Sequence, residues 1–286
     1  MCGNFSAKAW GARSTLRFAH IAPRWCMKYL FVLAASFCAV VLCGCARSQK
    51  LVIGLDATYP PFEFKDKNGE FQGVSVDLGR AFANHLGREA EFRNIGFDGL
   101  MAALKSGAID CVISSMTATD ERRKSIEFSA PYVKTRLALL ASKNSPVQCL
   151  DDLKAPGRRV VVRLGTSGES FAKQALPDTP RVALDNDTSC VMEVVKGSAD
   201  AWIYDLLSVM RYHERHPDAT RALPKPVREE SWAIGLKQGD SVLKKQANEF
   251  LAKFRADGGF QQLAEKYLAE DQKLMRGQGL PFVFDL

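Results

Sequence analysis

Polar residues stand directly after four apolar runs that are expected to be strands. They are Asp56, Ser114-Ser115, Gly165-Thr166-Ser167 and Asp205. Their carboxylates, hydroxyls and backbone N–H groups suit a small polar molecule, because ligands of open α/β sheets lie outside the carboxyl ends of the strands. Each group alone also fits a helix N-cap, which needs the same residue types. Taken together, they predict one binding crevice.

The loop Gly165-Thr166-Ser167-Gly168 precedes a predicted helix, where backbone N–H groups favour an anion. By itself this motif also describes an ordinary turn or cap. The sequence has no Gly-x-Ser-x-Gly, His-Glu-x-x-His or P-loop pattern. Of its histidines, His20 is near the N-terminus, and His85, His213 and His216 lie on or beside predicted helices. We therefore expect no catalytic residue, metal or cofactor, and no additional Glu or His in the crevice.

The elements that would position these residues are strands and helices, predicted from alternating apolar runs and helical periods. The predicted strands are residues 51–55, 89–94, 109–114, 159–164, 181–184, 199–204 and 232–236. The predicted helices are residues 76–86, 98–105, 151–153, 170–175, 188–196, 206–213, 242–254 and 260–268. This order predicts an α/β fold with helical crossovers. The tail over 269–286 shows no clear period.

The net charge of +7 comes mostly from the N-terminus. Residues 1–44 hold five basic residues and no acidic one, so the rest of the chain has 34 Lys and Arg against 32 Asp and Glu, a net charge of +2. A nearly neutral body without a basic stripe argues against a nucleic-acid partner. Hydrophobic residues at 47% and charged residues at 25% exclude long disorder.

An apolar run over 29–42 follows a lysine and ends in small residues. It is shorter than the ~20 residues of a membrane-spanning helix and has the order of a secretory signal. We therefore predict a signal region over 1–44, with its functional part at 27–44. At the end of this run stands the sequence Leu42-Cys43-Gly44-Cys45, which resembles the lipobox of bacterial lipoproteins. That resemblance implies lipidation of Cys45, a linker over 45–50 and a stable membrane anchor.

Three cysteines remain in the body: Cys111, Cys149 and Cys190. Their odd number excludes a disulfide scaffold, and their spacing fits no zinc motif. Cys111 lies in the apolar run IDCVISS and is expected in the core.

Ordered motifs cover almost the whole body, from Leu51 to Leu268. They are IGLDATYPPFEF, GVSVDLGRAF, FDGLMAALKSGAIDCVISSMTATDERRKSIEFSAPY, LGTSGESF, ADAWIYD and FRADGGFQQLAEKYL. In this order they resemble the family of polar-amino-acid-binding proteins that serve ABC importers (bacterial extracellular solute-binding proteins, family 3). Val74 and Ser75 stand where that family usually has Phe and Asp.

The resemblance implies two α/β lobes, each an open sheet flanked by helices, joined by two hinge strands around a ligand. The implied bounds are 51–135 and 231–268 for lobe one, 139–228 for lobe two, and 134–141 and about 229–233 for the crossing strands. It further implies a monomer in the periplasm or cell envelope. There it would be held to the membrane by the lipid and would partner an ABC transporter permease.

The resemblance also implies roles for the backbone groups of an amino-acid ligand. Arg122 would hold the α-carboxylate with its guanidinium fork. Ser115 and Thr117 would add bonds around the ligand backbone, and the 165–168 loop would offer N–H groups from lobe two. Asp205 would accept from the α-ammonium and could cap a helix as well. Without the resemblance, Arg122 would be interpreted as an exposed helix arginine.

At the ligand side chain, the resemblance places Tyr59 and Phe97 as a sandwich, although aromatic residues are more often core. The position of Asp56 faces the side chain, and glutamine binders share a basic residue at the position of Arg163. If these two meet across the cleft, they present one acceptor and one donor to a side-chain amide. We therefore expect glutamine or another polar amino acid, with basic amino acids as runner-up. The alternation in VVVRL would also let Arg163 face outward.

Two other functions remain open. Some proteins of this fold resemble cyclohexadienyl dehydratases, which would require a positioned acid in the cleft. The chain could also be a non-transport sensor lipoprotein. Because the expected cleft positions add no Glu or His, the sequence favours binding over catalysis.

Overall fold

The computed structural model describes residues 50–285, so the predicted signal over 1–44, Cys45 and most of the 45–50 linker lie outside the described residues. The strands are β1 (Lys50–Leu55), β2 (Thr58–Tyr59), β3 (Glu63–Lys65), β4 (Phe71–Gln72), β5 (Glu89–Asn94), β6 (Cys111–Val112), β7 (Glu127–Ser142), β8 (Val160–Arg163), β9 (Arg181–Leu184), β10 (Ala201–Asp205) and β11 (Thr220–Leu236). The helices are α1 (Val74–His85), α2 (Leu100–Ser106), α3 (Asp120–Arg123), α4 (Ser167–Ala175), α5 (Asp187–Val195), α6 (Leu206–Arg215), α7 (Ser241–Ala256), α8 (Gly259–Tyr267) and α9 (Ala269–Gly277). Short 3₁₀ helices lie at Phe97–Gly99 and Asp151–Lys154.

Two long antiparallel strands, β7 and β11, connect the two lobes. They lie at the centre of an eight-stranded sheet with the order β5-β1-β6-β11-β7-β10-β8-β9. On one side β5, β1 and β6 run parallel to each other and form the sheet of lobe one. On the other side β10, β8 and β9 are parallel and form the sheet of lobe two. This is the two-lobed α/β fold, with two hinge strands, that the sequence predicts.

Helices cover the sheet, so inner strands such as β8 and β10 are buried on both faces. Val160, Val161 and Val162 of β8 are all fully buried, and their β-branched side chains suit a pleated surface. The helices of lobe two begin at polar caps where the strands end. Thr166 accepts from the N–H of Glu169 at the start of α4, and Asp205 accepts from the N–H of Ser208 at the start of α6. The sequence indicates these caps correctly.

The crossing strands are longer than predicted. The sequence indicates only 134–141 and about 229–233, whereas β7 has 16 residues and β11 has 17. Prolines interrupt both patterns: Pro131 in β7, and Pro224 and Pro226 in β11. Because proline cannot donate a ladder hydrogen bond, it is confined to edges and bulges, and β11 shifts its register between Leu223 and Arg228. Strand periodicity is lost at such positions.

Two further elements were not predicted. The strands β2, β3 and β4 form a separate small sheet, and none of them exceeds three residues, which is too short for a period. The tail contains α9, followed by a segment that packs against the hinge. There the N–H of Lys134 on β7 donates to the carbonyl of Val283 at 2.9 Å. The numerical bounds predicted for the lobes stay a prediction.

Within residues 50–285, no helix has the length and apolar character needed to cross a bilayer. The three described cysteines are free thiols, and Cys111 is fully buried as expected.

Candidate functional site

One cavity lies between the lobes, and every residue that the sequence predicts for the ligand lines it. They are Asp56, Tyr59, Phe97, Ser114, Ser115, Thr117, Arg122, Arg163, Thr166, Ser167 and Asp205. The space that atoms do not fill is about 450 Å³, open solvent included. The ligand contacts of these eleven residues stay predictions.

Arg122 lies near the end of the short helix α3 and is buried, not exposed as an isolated helix arginine would be. Its Nη1 donates to the carbonyl of Thr117 at 2.8 Å, and its Nη2 donates to the carbonyl of Gly165 at 3.0 Å. Its guanidinium lies over the ring of Phe97, 5.3 Å from the centroid. Burial lowers the pKa of Arg122 to about 10, so the group keeps its charge at neutral pH. Two of its five donors are used by these carbonyls, which leaves the others for a ligand.

The 165–168 loop approaches lobe one closely. Gly165 has a φ of 73°, and a Cβ there would lie 2.9 Å from the Cβ of Asp98. Glycine is therefore required both for the backbone conformation and for the approach. The Thr166 hydroxyl donates to the carbonyl of Arg163 at 2.7 Å while it caps α4, so its side chain is engaged in the turn itself.

Asp205 ends β10 and is buried, as the sequence suggests for a cap that also faces the crevice. One carboxylate oxygen accepts from the Ser208 N–H at 3.0 Å, and the other accepts from the Tyr59 hydroxyl at 2.7 Å. The second contact connects lobe two with lobe one. Burial raises the pKa of Asp205, against the lowering effect of these hydrogen bonds.

The two serines after β6 surround a carboxyl group that the sequence analysis missed. Ser115 donates to Glu63 at 3.1 Å, and Ser114 lies 3.5 Å from the other oxygen of Glu63. Ser114 also accepts from the N–H of Asp56 at 3.0 Å. Ser115 has a φ of 48°, a conformation that is uncommon for a residue other than glycine and concentrates at functional sites. Burial raises the pKa of Glu63 to about 8.

Arg163 faces inward and meets Asp56, which excludes the outward orientation that its strand pattern allowed. Its Nη2 lies 2.6 Å from Asp56 and also donates to Thr58 at 2.8 Å. Its Nη1 donates to Asp187 at 3.0 Å and to the Tyr204 hydroxyl at 3.2 Å, and its Nε donates to a backbone carbonyl at 3.3 Å. All five guanidinium donors therefore have protein acceptors. A ligand amide that binds Arg163 would therefore replace one of these acceptors.

Two carboxylates, those of Asp56 and Asp187, face the guanidinium of Arg163. Burial lowers the pKa of Arg163, but Tyr204, Asp187 and Asp56 outweigh it, so the pKa is raised and the guanidinium stays charged. Burial raises the pKa of Asp187 to about 7, although Arg163 lowers it.

Aromatic rings form the walls of the cavity. Phe97 lies under both Arg122 and Arg163, at 5.3 and 5.9 Å from their guanidinium carbons. Tyr59 stacks on Phe62 with centroids 5.3 Å apart and packs edge-on against Trp232 at 6.1 Å. Tyr59 is thus partly a core residue, as the general tendency of aromatic residues indicates.

Five residues line the cavity without having been predicted. They are Glu63, Leu137, Tyr204, Glu230 and Trp232. The expectation that no further Glu would stand in the crevice is therefore wrong, because Glu63 and Glu230 both do. Glu63 had a sequence signal, a lone charge between two phenylalanines in PPFEF. Glu230 had none beyond its place on a predicted crossing strand.

Within the described residues, no group of three or more His, Cys, Asp or Glu side chains could hold a metal ion.

The fold and this cavity define a two-lobed solute-binding protein. The chain belongs to the bacterial extracellular solute-binding proteins, family 3, whose profile matches residues 51–270. It is 32% identical to the L-cystine-binding protein TcyJ of Escherichia coli K12 over 77% of this chain and 83% of that protein.

Similar solved structures include two that each cover 77% of this chain. One is the ancestral amino-acid-binding protein AncCDT-1, a precursor of cyclohexadienyl dehydratase, with 35% identity, 95% of its chain covered and a TM-score of 0.70. The other is an ancestral arginine-binding protein bound to glutamine, with 34% identity, 98% of its chain covered and a TM-score of 0.70.

Proposed function

We propose that this protein binds a polar L-α-amino acid between its lobes and delivers it to the permease of an ABC importer. The observation that carries this proposal is the pairing of opposite charges in one buried cavity. Arg122 offers free guanidinium donors at one position, and Asp205 offers a carboxylate at another. A zwitterion brings a carboxylate and an ammonium that match both, and neither charge of the ligand is then buried unpaired.

Glutamine is the favoured ligand because of the contact between Asp56 and Arg163. A side-chain amide inserted there would donate to Asp56 and accept from Arg163, so each group would exchange one hydrogen bond for another. The exchange brings no net charge into the site. The ancestral arginine-binding protein in the comparison is bound to glutamine, which supports an amide as a suitable side chain for this fold.

A basic amino acid is the second candidate, and the ion pair between Arg163 and Asp187 is the observation that favours it. Arg163 is shared by two buried carboxylates, Asp56 and Asp187. A cationic side chain could take Asp56 while Arg163 keeps Asp187, which would give two balanced pairs. Against this, the ligand cation would lie close to Arg163 in a site of low dielectric.

The test is a thermal-shift panel of all twenty amino acids and cystine, followed by calorimetry of the ligands that raise the melting temperature. A ligand at about 100 times its Kd stabilises the protein by about 2.7 kcal/mol, which is readily detected. We expect the largest shift with glutamine. Strong shifts with arginine or lysine and none with glutamine would reverse the order, and no shift with any amino acid would refute the proposal.

Binding is proposed here in preference to dehydratase activity. Glu63 supplies an acid at the cavity, but the family and the relative TcyJ are named for solute binding, and both oxygens of Glu63 lie near serine hydroxyls of the protein itself. Incubation with prephenate and arogenate checks this choice: product formed at a rate proportional to protein concentration, and lost in Glu63→Gln, would establish the enzyme. If the protein were a sensor, it would bind the same amino acid, but deletion of its gene would leave the uptake of labelled ligand unchanged.

The proposal includes a lipid anchor on Cys45 and a place in the periplasm or cell envelope. It rests on the apolar run over 29–42 and the Leu42-Cys43-Gly44-Cys45 motif. Radiolabelled palmitate should enter the full-length chain, and Cys45→Ser should abolish labelling and release the body to the soluble fraction. Cys43→Ser is the matched control and should keep the label. If the Cys45→Ser protein still incorporates palmitate, the proposed anchor on Cys45 is refuted.

A further inference from the structure

Glu230 connects the two lobes from the hinge. It lies on β11, its side chain is 3% exposed, and one of its oxygens is held by Arg228, two residues earlier on the same strand. Its other oxygen accepts from the Thr117 hydroxyl of lobe one at 3.0 Å and from the Ser167 hydroxyl of lobe two at 2.7 Å. Glu230, Thr117 and Ser167 all line the cavity.

This arrangement determines where the two hydroxyl hydrogens lie. A hydroxyl has one hydrogen and two lone pairs, whereas an ionised carboxylate only accepts. Glu230 acts as an acceptor in each of its contacts: Arg228 donates to one oxygen, and the two hydroxyls donate to the other. Thr117 and Ser167 therefore each give their single hydrogen to Glu230. Their oxygens lie 3.3 Å apart and have only lone pairs left for the cavity.

A pair of oxygens that only accept selects a ligand group that only donates. The α-ammonium of an amino acid is such a group, and an α-carboxylate or a neutral carbonyl is not. Asp205 alone serves an ammonium incompletely, since Tyr59 and the N–H of Ser208 already occupy part of its accepting capacity.

We infer that Glu230 is a positioning residue that directs the lone pairs of Thr117 and Ser167 towards the α-ammonium of the ligand. In this way it makes the site distinguish amino acids from the same acids without the amino group. The inference rests on the proposed function, because it presupposes an amino-acid ligand in this cavity.

The test compares each amino acid with its deamino analogue by calorimetry and competition, in wild type and in Glu230→Gln. The probes are L-glutamine with glutaramic acid, and L-arginine with 5-guanidinopentanoic acid. The carboxylate of wild type can only accept, whereas the amide introduced by Glu230→Gln can donate a hydrogen to one of the two hydroxyl oxygens. That hydroxyl then turns its own hydrogen towards the cavity, where it opposes an ammonium.

We expect the affinity ratio of amino acid to deamino analogue to fall about tenfold or more in Glu230→Gln. Glu229→Gln, which changes an exposed neighbour on the same strand, is the matched control and should leave the ratio unchanged.

A second variant covers the case in which Glu230→Gln does not fold. Thr117→Val removes one of the two accepting oxygens and should lower the same ratio. An unchanged ratio in a folded Glu230→Gln protein, or in Thr117→Val when Glu230→Gln is unfolded, would overturn the role of Glu230. Wild type that binds no amino acid would instead overturn the proposed function, so the two failures are distinct.

Discussion

The guanidinium of Arg163 in lobe two lies 2.6 Å from the carboxylate of Asp56 in lobe one, and both side chains are almost completely buried. The two residues are 107 positions apart in the chain. Both residues line the cavity, so a ligand side chain that comes between them must exchange hydrogen bonds with one or both of them.

Replacement of Arg163 should alter both stability and ligand preference. Arg163→Gln leaves Asp56 and Asp187 without their shared cation, and a broken buried pair costs ~3–5 kcal/mol. We expect the free energy of unfolding, from urea titration, to fall by about that amount, and the affinity for arginine to rise relative to glutamine. Arg159→Gln, exposed near the start of the same strand, is the control. If the ratio of arginine affinity to glutamine affinity is unchanged in Arg163→Gln, Arg163 has no part in specificity.

Arg122 should dominate the affinity for the ligand carboxylate. Arg122→Lys replaces a planar fork by a single point charge, and we expect a loss of ~3–5 kcal/mol, more than about a hundredfold in Kd. Calorimetry with the tightest ligand of the panel measures it. Arg123→Lys changes the exposed neighbour on the same helix and should bind normally. Near-normal titration of Arg122→Ala would dismiss the proposed carboxylate site.

The protein should lose stability as the pH rises towards 8. Burial raises the pKa of Glu63 from an ordinary value of 4.5 to about 8. Between these two pH values, the folded chain therefore holds a proton that the unfolded chain has released. The contribution of Glu63 to the free energy of unfolding is therefore full below pH 4.5 and declines across this window. The decline is at most ~1.4 kcal/mol per pH unit.

Urea titrations across this pH window test the dependence on Glu63. Glu63→Gln keeps an uncharged side chain at every pH, so its stability should change less with pH than that of wild type. Glu70→Gln, on the exposed loop after β3, should follow wild type. Parallel curves for wild type and Glu63→Gln would contradict the assignment, and the remaining slope would then belong to groups such as Asp187.

The C-terminal segment should contribute to stability, although its sequence has no clear period. Phe282 is 3% exposed and packs edge-on against Phe284 at 5.7 Å, beside the hinge strand β7. Truncation of a buried aromatic residue costs ~3–5 kcal/mol, so Phe282→Ala should lower the free energy of unfolding by about that much. Gln278→Ala, exposed in the same segment, is the control. Equal stability of the two variants would show that the segment does not pack in solution.

The fold was largely predictable from local patterns. The apolar runs before Asp56, Ser114, Thr166 and Asp205 mark the strand ends of both lobes, and the helical periods between them identify the crossovers. The long hinge strands were predicted only in part, because prolines and register shifts disturb the alternation on which strand prediction depends.

Local patterns were enough to identify the polar residues at the ends of the strands, because strand and helix periods are properties of short stretches of chain. How those residues are paired was settled by the packing of the two lobes, which brings distant segments within hydrogen-bond distance. Arg163 turns inward to Asp56 and Asp187, and Glu230 enters the cavity from the hinge. Side-chain partners of this kind depend on three-dimensional proximity, which no sequence period encodes.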